Sequence, residues 1–432
     1  MHGHDAVAGH DQRKQGRRAR HPRRIAALAA VTLVAGLGLT GCGSDEPAAG
    51  SSATSASASA SACPTSDPGG TGGTASSGAS TGTPSGIPSG GSNGGGLKIV
   101  EAKTIKKIDN STSTVIDPNG PAITCDTSAV RTTDDITYSS PTTHGKKTDL
   151  KLDIQVPKSS GKKPLVIYLT GGEWVLAERT GNLDQRTYIA DQGYAVASVQ
   201  YRTTTSGATY KDALADVKSA IRYLRANADT YGIDTDHVYV WGQSAGGYLA
   251  AMTGVTNGDK AYDVGDHLDQ NSKVQGVVDE FGPANLSEIA SDYDQAAKDS
   301  NYAAGNSAAQ WVYGPGTTKS IKAYTSQMAA ADPATHISSS TPPFLLLHGS
   351  ADPLVSPSQT LNLFTALKDK GVDAKRVVLT GAGHGDLSIP TNSGASPSAS
   401  SGAEAPSGGA AKPWSTKKTM GYITNFLAGH IG

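Results

Sequence analysis

The stretch VYVWGQSAGGYLAAMTG, residues 238–254, decides the fold. It opens on apolar, β-prone residues and closes on small, helix-compatible ones. At the junction, Gly242-Gln243-Ser244-Ala245-Gly246 fits the pattern G-x-S-x-G. A strand turning sharply into a helix holds its central serine in a strained backbone conformation, and flanking glycines keep side chains out of the crowded turn. Ser244 is therefore the candidate nucleophile.

Working outward, β-rich runs bounded by turn residues recur at 150–156 (LKLDIQV), 164–170 (PLVIYLT), 195–202 (AVASVQYR), 238–242, 274–281, 343–348 and 376–380. VIYL, VYVW and FLLL are nearly all apolar, as strands covered on both faces must be. Helical segments fit between them. Over 210–228, Ala213, Val217, Ile221 and Leu224 form one apolar stripe. Further helices are predicted over 356–370 and 416–427. Strands alternating with helices predict an α/β fold, a mostly parallel central sheet with helices on both faces. The stretch 286–340 does not alternate and reads as a small helical cap.

A serine hydroxyl needs a base. His384, in Gly381-Ala382-Gly383-His384-Gly385, follows the last strand, where a loop brings an imidazole over Ser244. His2, His4, His10 and His21 precede Cys42, and His430 sits near the C-terminus; His348, in LLLHGS, reads as a buried residue at a strand end. The carboxylate that orients the imidazole is Asp352, in HGSADPLV, with Asp279 as competitor near another strand end. Ser244, Asp352 and His384 follow the chain order of α/β-hydrolases. Backbone amides must hold the developing oxyanion. Ala245 supplies one, and the loop Thr170-Gly171-Gly172-Glu173-Trp174 supplies the rest.

With LTGGEW, SVQYR, DALADVKSAIRYLRANA, GQSAGG, LLLHGSADPLV and GAGHG in hand, residues 149–427 resemble the lipase/esterase branch of the α/β-hydrolases, near hormone-sensitive-lipase-like and feruloyl or acetyl-xylan esterase-like enzymes. The resemblance implies a Ser-His-Asp carboxylic ester hydrolase working through an acyl-enzyme, without cofactor or metal. It also implies that the loop's oxyanion donors are the amides of Gly172 and Glu173. Where that family carries H-G-G-G, this chain has Thr170-Gly171-Gly172-Glu173. Thr170 lacks the bracing imidazole, and Glu173 adds a carboxylate that would oppose an oxyanion unless turned away or paired, with Arg202 one candidate partner.

The chain has 432 residues and a formal net charge of -1, which gives no reason to expect a nucleic-acid partner. No H-E-x-x-H, zinc-spaced Cys/His set or Gly-rich phosphate loop is present. The ends are uneven. Seven basic residues crowd 13–24, and an apolar run follows at 25–39, too short to span a bilayer but suited to a signal-peptide core. It ends in Leu39-Thr40-Gly41-Cys42, which resembles a bacterial lipobox with Cys42 as the lipidated residue. Export and membrane attachment by acyl chains alone are expected, with the protein on the outer face of a bacterial membrane or secreted. Arg23-Arg24 leaves the twin-arginine route open.

Residues 1–42 thus read as a lipoprotein signal peptide and 43–96, almost wholly Ser, Ala, Gly, Thr and Pro, as a disordered tether. Residues 97–432 read as the hydrolase domain, with a low-complexity insertion at about 391–411. Without residues 1–42 the chain keeps 30 basic and 36 acidic side chains, a net charge of -6. Cys63 and Cys125 would meet an oxidising compartment, where pairing and two free thiols are both open. The expected substrate is a small-molecule or polymer-attached ester. Two rivals stand beside this reading: a peptidase or amidase using the same residues, and a non-catalytic binding lipoprotein that kept the fold.

Overall fold

The computed structural model describes residues 61–65, 100–386 and 412–431. All of them fall in the unit Ser57–Gly432. The basic head, the apolar run, Cys42, most of the Ser/Gly tract and the insertion at about 391–411 lie outside the described residues.

Nine strands form one sheet: β1 Thr114–Ile116, β2 Val130–Ser139, β3 Leu150–Pro157, β4 Lys163–Leu169, β5 Ala195–Val199, β6 Ile233–Gln243, β7 Gly276–Glu280, β8 Phe344–Gly349 and β9 Ala374–Leu379. Their spatial order is β1-β9-β8-β7-β6-β4-β5-β3-β2. Every pairing from β1 to β5 is parallel. Only β3 and β2 run antiparallel to their neighbours. The mostly parallel sheet expected from the alternating pattern is what forms.

Strand alternation assigns the two faces. On β4, Leu165, Ile167 and Leu169 join one core, while Val166 and Tyr168 join the other. The first core takes helices α2 (Tyr210–Ala226), α3 (Ala245–Val255) and α4 (Ser358–Asp369); the second takes α1 (Leu183–Asp191) and α5 (Lys417–Gly429). On α2, the stripe Ala213, Val217, Ile221, Leu224 is fully buried, and a capping box between Thr209 and Asp212 starts the helix. It stops two residues sooner than the periodicity predicts, and a short turn to Gly232, at φ 70°, leads into β6.

Three elements escape the pattern, the first being β1, only three residues long. α1 carries Gln185, Arg186 and Thr187 on its buried side, so no apolar stripe marks it. β2 is an edge strand, largely exposed and polar, so no hydrophobic run marks it either. Between β7 and β8 lie the short helices Gln295–Asn301, Ser307–Tyr313 and Ser326–Ala330, begun by side-chain caps from Asp294, Asn306 and Thr325.

One finding corrects the reading of residues 43–96 as a uniform tether. Ser61–Ala62 pairs antiparallel with Thr124–Cys125, and a disulfide joins Cys63 to Cys125. Both sulfur-bearing residues are buried.

Candidate active site

The sheet brings the carboxyl ends of β4, β6, β8 and β9 together, and every site residue predicted in the domain lies there. β6 runs into α3 through Ser244, whose backbone sits at φ 53°, ψ -120°. A non-glycine residue at positive φ is strained and persists only where the surroundings fix it. Here the surroundings are tight. A Cβ on Gly242 would lie 2.1 Å from the Gly246 carbonyl oxygen, and one on Gly246 would lie 2.1 Å from that of Leu169. The amide of Ser244 donates to the carbonyl of Glu280 at 2.9 Å, pinning the turn to β7.

Above the elbow, His384 Nε2 lies 2.8 Å from Ser244 Oγ, and its Nδ1 lies 2.7 Å from Asp352 Oδ2. Facing a carboxylate, Nδ1 carries the proton, which leaves Nε2 to accept from the serine hydroxyl. The Phe281 ring packs against the imidazole with centroids 4.6 Å apart. Asp352 Oδ1 accepts from the amides of Leu354 and Val355 at 2.9 and 3.0 Å, so the carboxylate cannot rotate. Burial alone would raise the Asp352 carboxyl. The imidazoles of His384 and His348, by charge and hydrogen bond, outweigh it and hold the group well below the usual carboxylate range.

The competitor Asp279 stays out of this line. It is fully buried beside the elbow and accepts from the amide of Gly282 at 2.9 Å. Burial pushes its carboxyl up to about 7, against that hydrogen bond.

His348 is buried at the strand end as expected, and it backs the carboxylate of Asp352. Its Nε2 lies 3.2 Å from Asp352 Oδ2 and 3.0 Å from the Val355 carbonyl, and its Nδ1 lies 2.9 Å from Thr360 Oγ1. Thr360 Oγ1 in turn accepts from Arg376 Nε at 3.0 Å. His348 Nε2 faces only acceptors, so it carries the proton and donates to the Val355 carbonyl, and its Nδ1 accepts from the Thr360 hydroxyl. Burial, with the Arg376 charge, favours the neutral imidazole this requires, against the pull of Asp352. No spacing in the sequence signals this buried line.

The loop after β4 passes directly against the nucleophile. A Cβ on Gly171 would lie 3.0 Å from that of Ser244, and one on Gly172 would lie 2.4 Å from the Leu176 carbonyl oxygen. Gly172, Glu173 and Trp174 follow at φ 150°, 52° and 62°, and the Gly172 carbonyl accepts from the amides of Val175 and Leu176. In place of the missing imidazole at Thr170, the Tyr201 hydroxyl braces that residue's carbonyl at 2.8 Å. The amides of Gly172, Glu173 and Ala245 donate to no acceptor among the described residues.

Glu173 does not pair with Arg202. That guanidinium is committed to Asp216, with NH2 to Oδ1 at 2.7 Å and Nε to Oδ2 at 2.9 Å. Glu173 Oε1 instead accepts from Ser307 Oγ of the cap at 3.0 Å. Among the described residues no group of three or more His, Cys, Asp or Glu side chains is placed to hold a metal ion.

A nucleophile elbow after a central parallel strand, facing a histidine and an aspartate from the two strands beyond, defines an α/β-hydrolase. The chain belongs to the BD-FAE family, whose model matches residues 152–367, half of its length. Among curated proteins it is similar to a probable isoprenylcysteine alpha-carbonyl methylesterase of Arabidopsis thaliana, 26% identical over 247 residues, covering 56% of this chain and 50% of the relative. It is also similar to the esterase LipC of Mycobacterium tuberculosis, 29% identical over 226 residues, covering 51% of this chain and 53% of the relative. The chain spans about half the length of these relatives. Among solved structures, a truncated carbohydrate esterase from gut microbiota superposes with a TM-score of 0.51 at 22% identity, over 69% of this chain and 96% of that one, a likeness of fold.

Proposed function

We propose that the protein is a serine hydrolase that cleaves carboxylic esters through an acyl-enzyme. The observation that carries this is the unbroken line Ser244–His384–Asp352, with contacts of 2.8 and 2.7 Å, lying beside three backbone amides with no acceptor among the described residues. Family membership and the esterase names of the relatives support the same reading.

In the reaction so read, Ser244 Oγ attacks the ester carbonyl carbon as His384 Nε2 takes the hydroxyl proton. The carbonyl oxygen becomes an oxyanion held by the amides of Ala245, Gly172 and Glu173. Its collapse breaks the bond to the alcohol oxygen, which receives the proton from His384, and the acyl group remains on Ser244. Water then attacks the acyl carbon and gives its proton to His384. The bond to Ser244 Oγ breaks, the serine is reprotonated, and the acid departs. Asp352 stays ionised throughout and stabilises the imidazolium.

The test is steady-state hydrolysis of short acyl esters beside aminoacyl amides. Ester turnover should dominate, and Ser244→Ala and His384→Ala should each lower kcat by about a thousandfold or more. Dominant amide cleavage would favour a peptidase, and no turnover at all would favour a binding protein.

The domain is also proposed to act outside the cell on a lipid anchor. What supports this is Leu39-Thr40-Gly41-Cys42 after an apolar run, together with a disulfide, a bond that persists in oxidising compartments. Cys42→Ala should move the protein from the membrane fraction to a soluble one and abolish acyl labelling. An unchanged distribution would contradict the anchor.

A further inference from the structure

One polar group within electrostatic reach of His384 has no task in the proposed reaction. The carboxylate of Glu173 stands on the oxyanion loop, and its position is fixed from both sides. Its own backbone lies at φ 52°, between Gly172 and Trp174, both at positive φ, and the Trp174 carbonyl is held by the amide and hydroxyl of Thr204 at 2.8 and 3.0 Å. Oε1 takes the Ser307 hydroxyl. Oε2 accepts from no donor among the described residues, and it is not sealed from solvent. Burial raises this carboxyl, opposed by the Ser307 hydrogen bond and by the charge of His384, whose imidazole is near enough to act on it. Arg202 does not compensate the charge, being bound to Asp216.

We infer that Glu173 is a specificity-determining residue, selecting esters that carry a hydrogen-bond donor, a hydroxyl or an ammonium group, beside the scissile bond, and rejecting anionic ones. The inference rests on the ester-hydrolase reading above. A partly dehydrated carboxylate with an open oxygen regains a partner from such a substrate. An ester without a donor leaves it unpaired, and an anionic ester adds like-charge repulsion at short range.

The test is kcat/KM for matched pairs, followed by pH-stat on the full chain. Ethyl lactate and alanine ethyl ester are each compared with ethyl propanoate, and 2-hydroxyethyl acetate with ethyl acetate. The wild type should favour at least one donor-bearing ester by about tenfold to a hundredfold. Glu173→Ala should collapse that ratio, whatever it does to the rates common to both members. Glu173→Gln, which keeps an acceptor oxygen but no charge, separates the sources: a hydroxyl preference survives in part, and an ammonium preference is lost. An active wild type with flat ratios, or ratios unchanged in Glu173→Ala, overturns the inference alone. A wild type inactive on every ester removes the ester-hydrolase reading, and this inference with it.

Discussion

Asp352 carries its charge between two imidazoles. Its Oδ2 faces two imidazoles, His384 at 2.7 Å and His348 at 3.2 Å. The His348 N–H, given to the Val355 carbonyl, also lies beside this oxygen and helps hold the carboxylate ionised, a support that His348→Leu removes. The other groups facing this pair stay in place: Glu173 on the oxyanion loop, Arg376 behind Thr360, and the Tyr293 hydroxyl, which donates to the Asp352 carbonyl at 3.0 Å. Leaving Thr360 and Asp352 short of a partner should also cost about 1–3 kcal/mol of stability. Denaturant unfolding measures this loss, and an unchanged midpoint would contradict it. At this scale the sequence was legible where chemistry imposes a local pattern, as in G-x-S-x-G and the Ser–Asp–His order. It was silent where partners meet only in space. The Ser307 partner of Glu173 and the Arg376–Thr360–His348 line join residues that no spacing connects.

Among the elements, the elbow and the strand beside it carry the sharpest consequences. Gly246→Ala forces a Cβ to within 2.1 Å of a backbone oxygen on β4. The strand cannot yield, so the variant should lose about 3 kcal/mol or more, or fail to fold. Denaturant unfolding checks this, and a loss below about 1 kcal/mol would mean the turn is looser than described. β7 ends on two buried acids. Glu280 is pushed up to about 8 by burial, against hydrogen bonds from Gln243 and Trp241, and Asp279 to about 7. Folded-state values above the unfolded ones mean that the native protein binds more protons. The associated stability is therefore complete below about pH 4 and is lost as pH rises through about 7 and 8. Glu280→Gln should flatten part of that decline between about pH 4 and 8; an unchanged slope would contradict the assignment. Elements with a strong apolar signature were legible here: β4, β6, β8 and α2. α1 and β2 were not, because one buries polar side chains and the other is a polar edge.

For the molecule as a whole, the disulfide is the feature composition least revealed. It joins residues 62 positions apart and fastens residues 61–65, from within a Ser/Gly-rich tract, to the strand at Thr124–Cys125. Closing a chain segment of this length restricts the unfolded state, so reduction or Cys63→Ser should cost about 2–4 kcal/mol. Thermal unfolding with and without reductant measures this, and coincident transitions would mean the link does not stabilise the domain. At the other end of the architecture four strands deliver a hydroxyl, an imidazole, a carboxylate and amides without an acceptor among the described residues to one sheet edge. Treating the protein with an alkyl 4-nitrophenyl phosphonate and locating the adduct by peptide mass spectrometry tests this convergence. The expected result is a single phosphonyl group on Ser244, formed rapidly in the wild type, slowly in His384→Ala and not at all in Ser244→Ala. An unmodified Ser244, or labelling that ignores the loss of His384, would contradict the account.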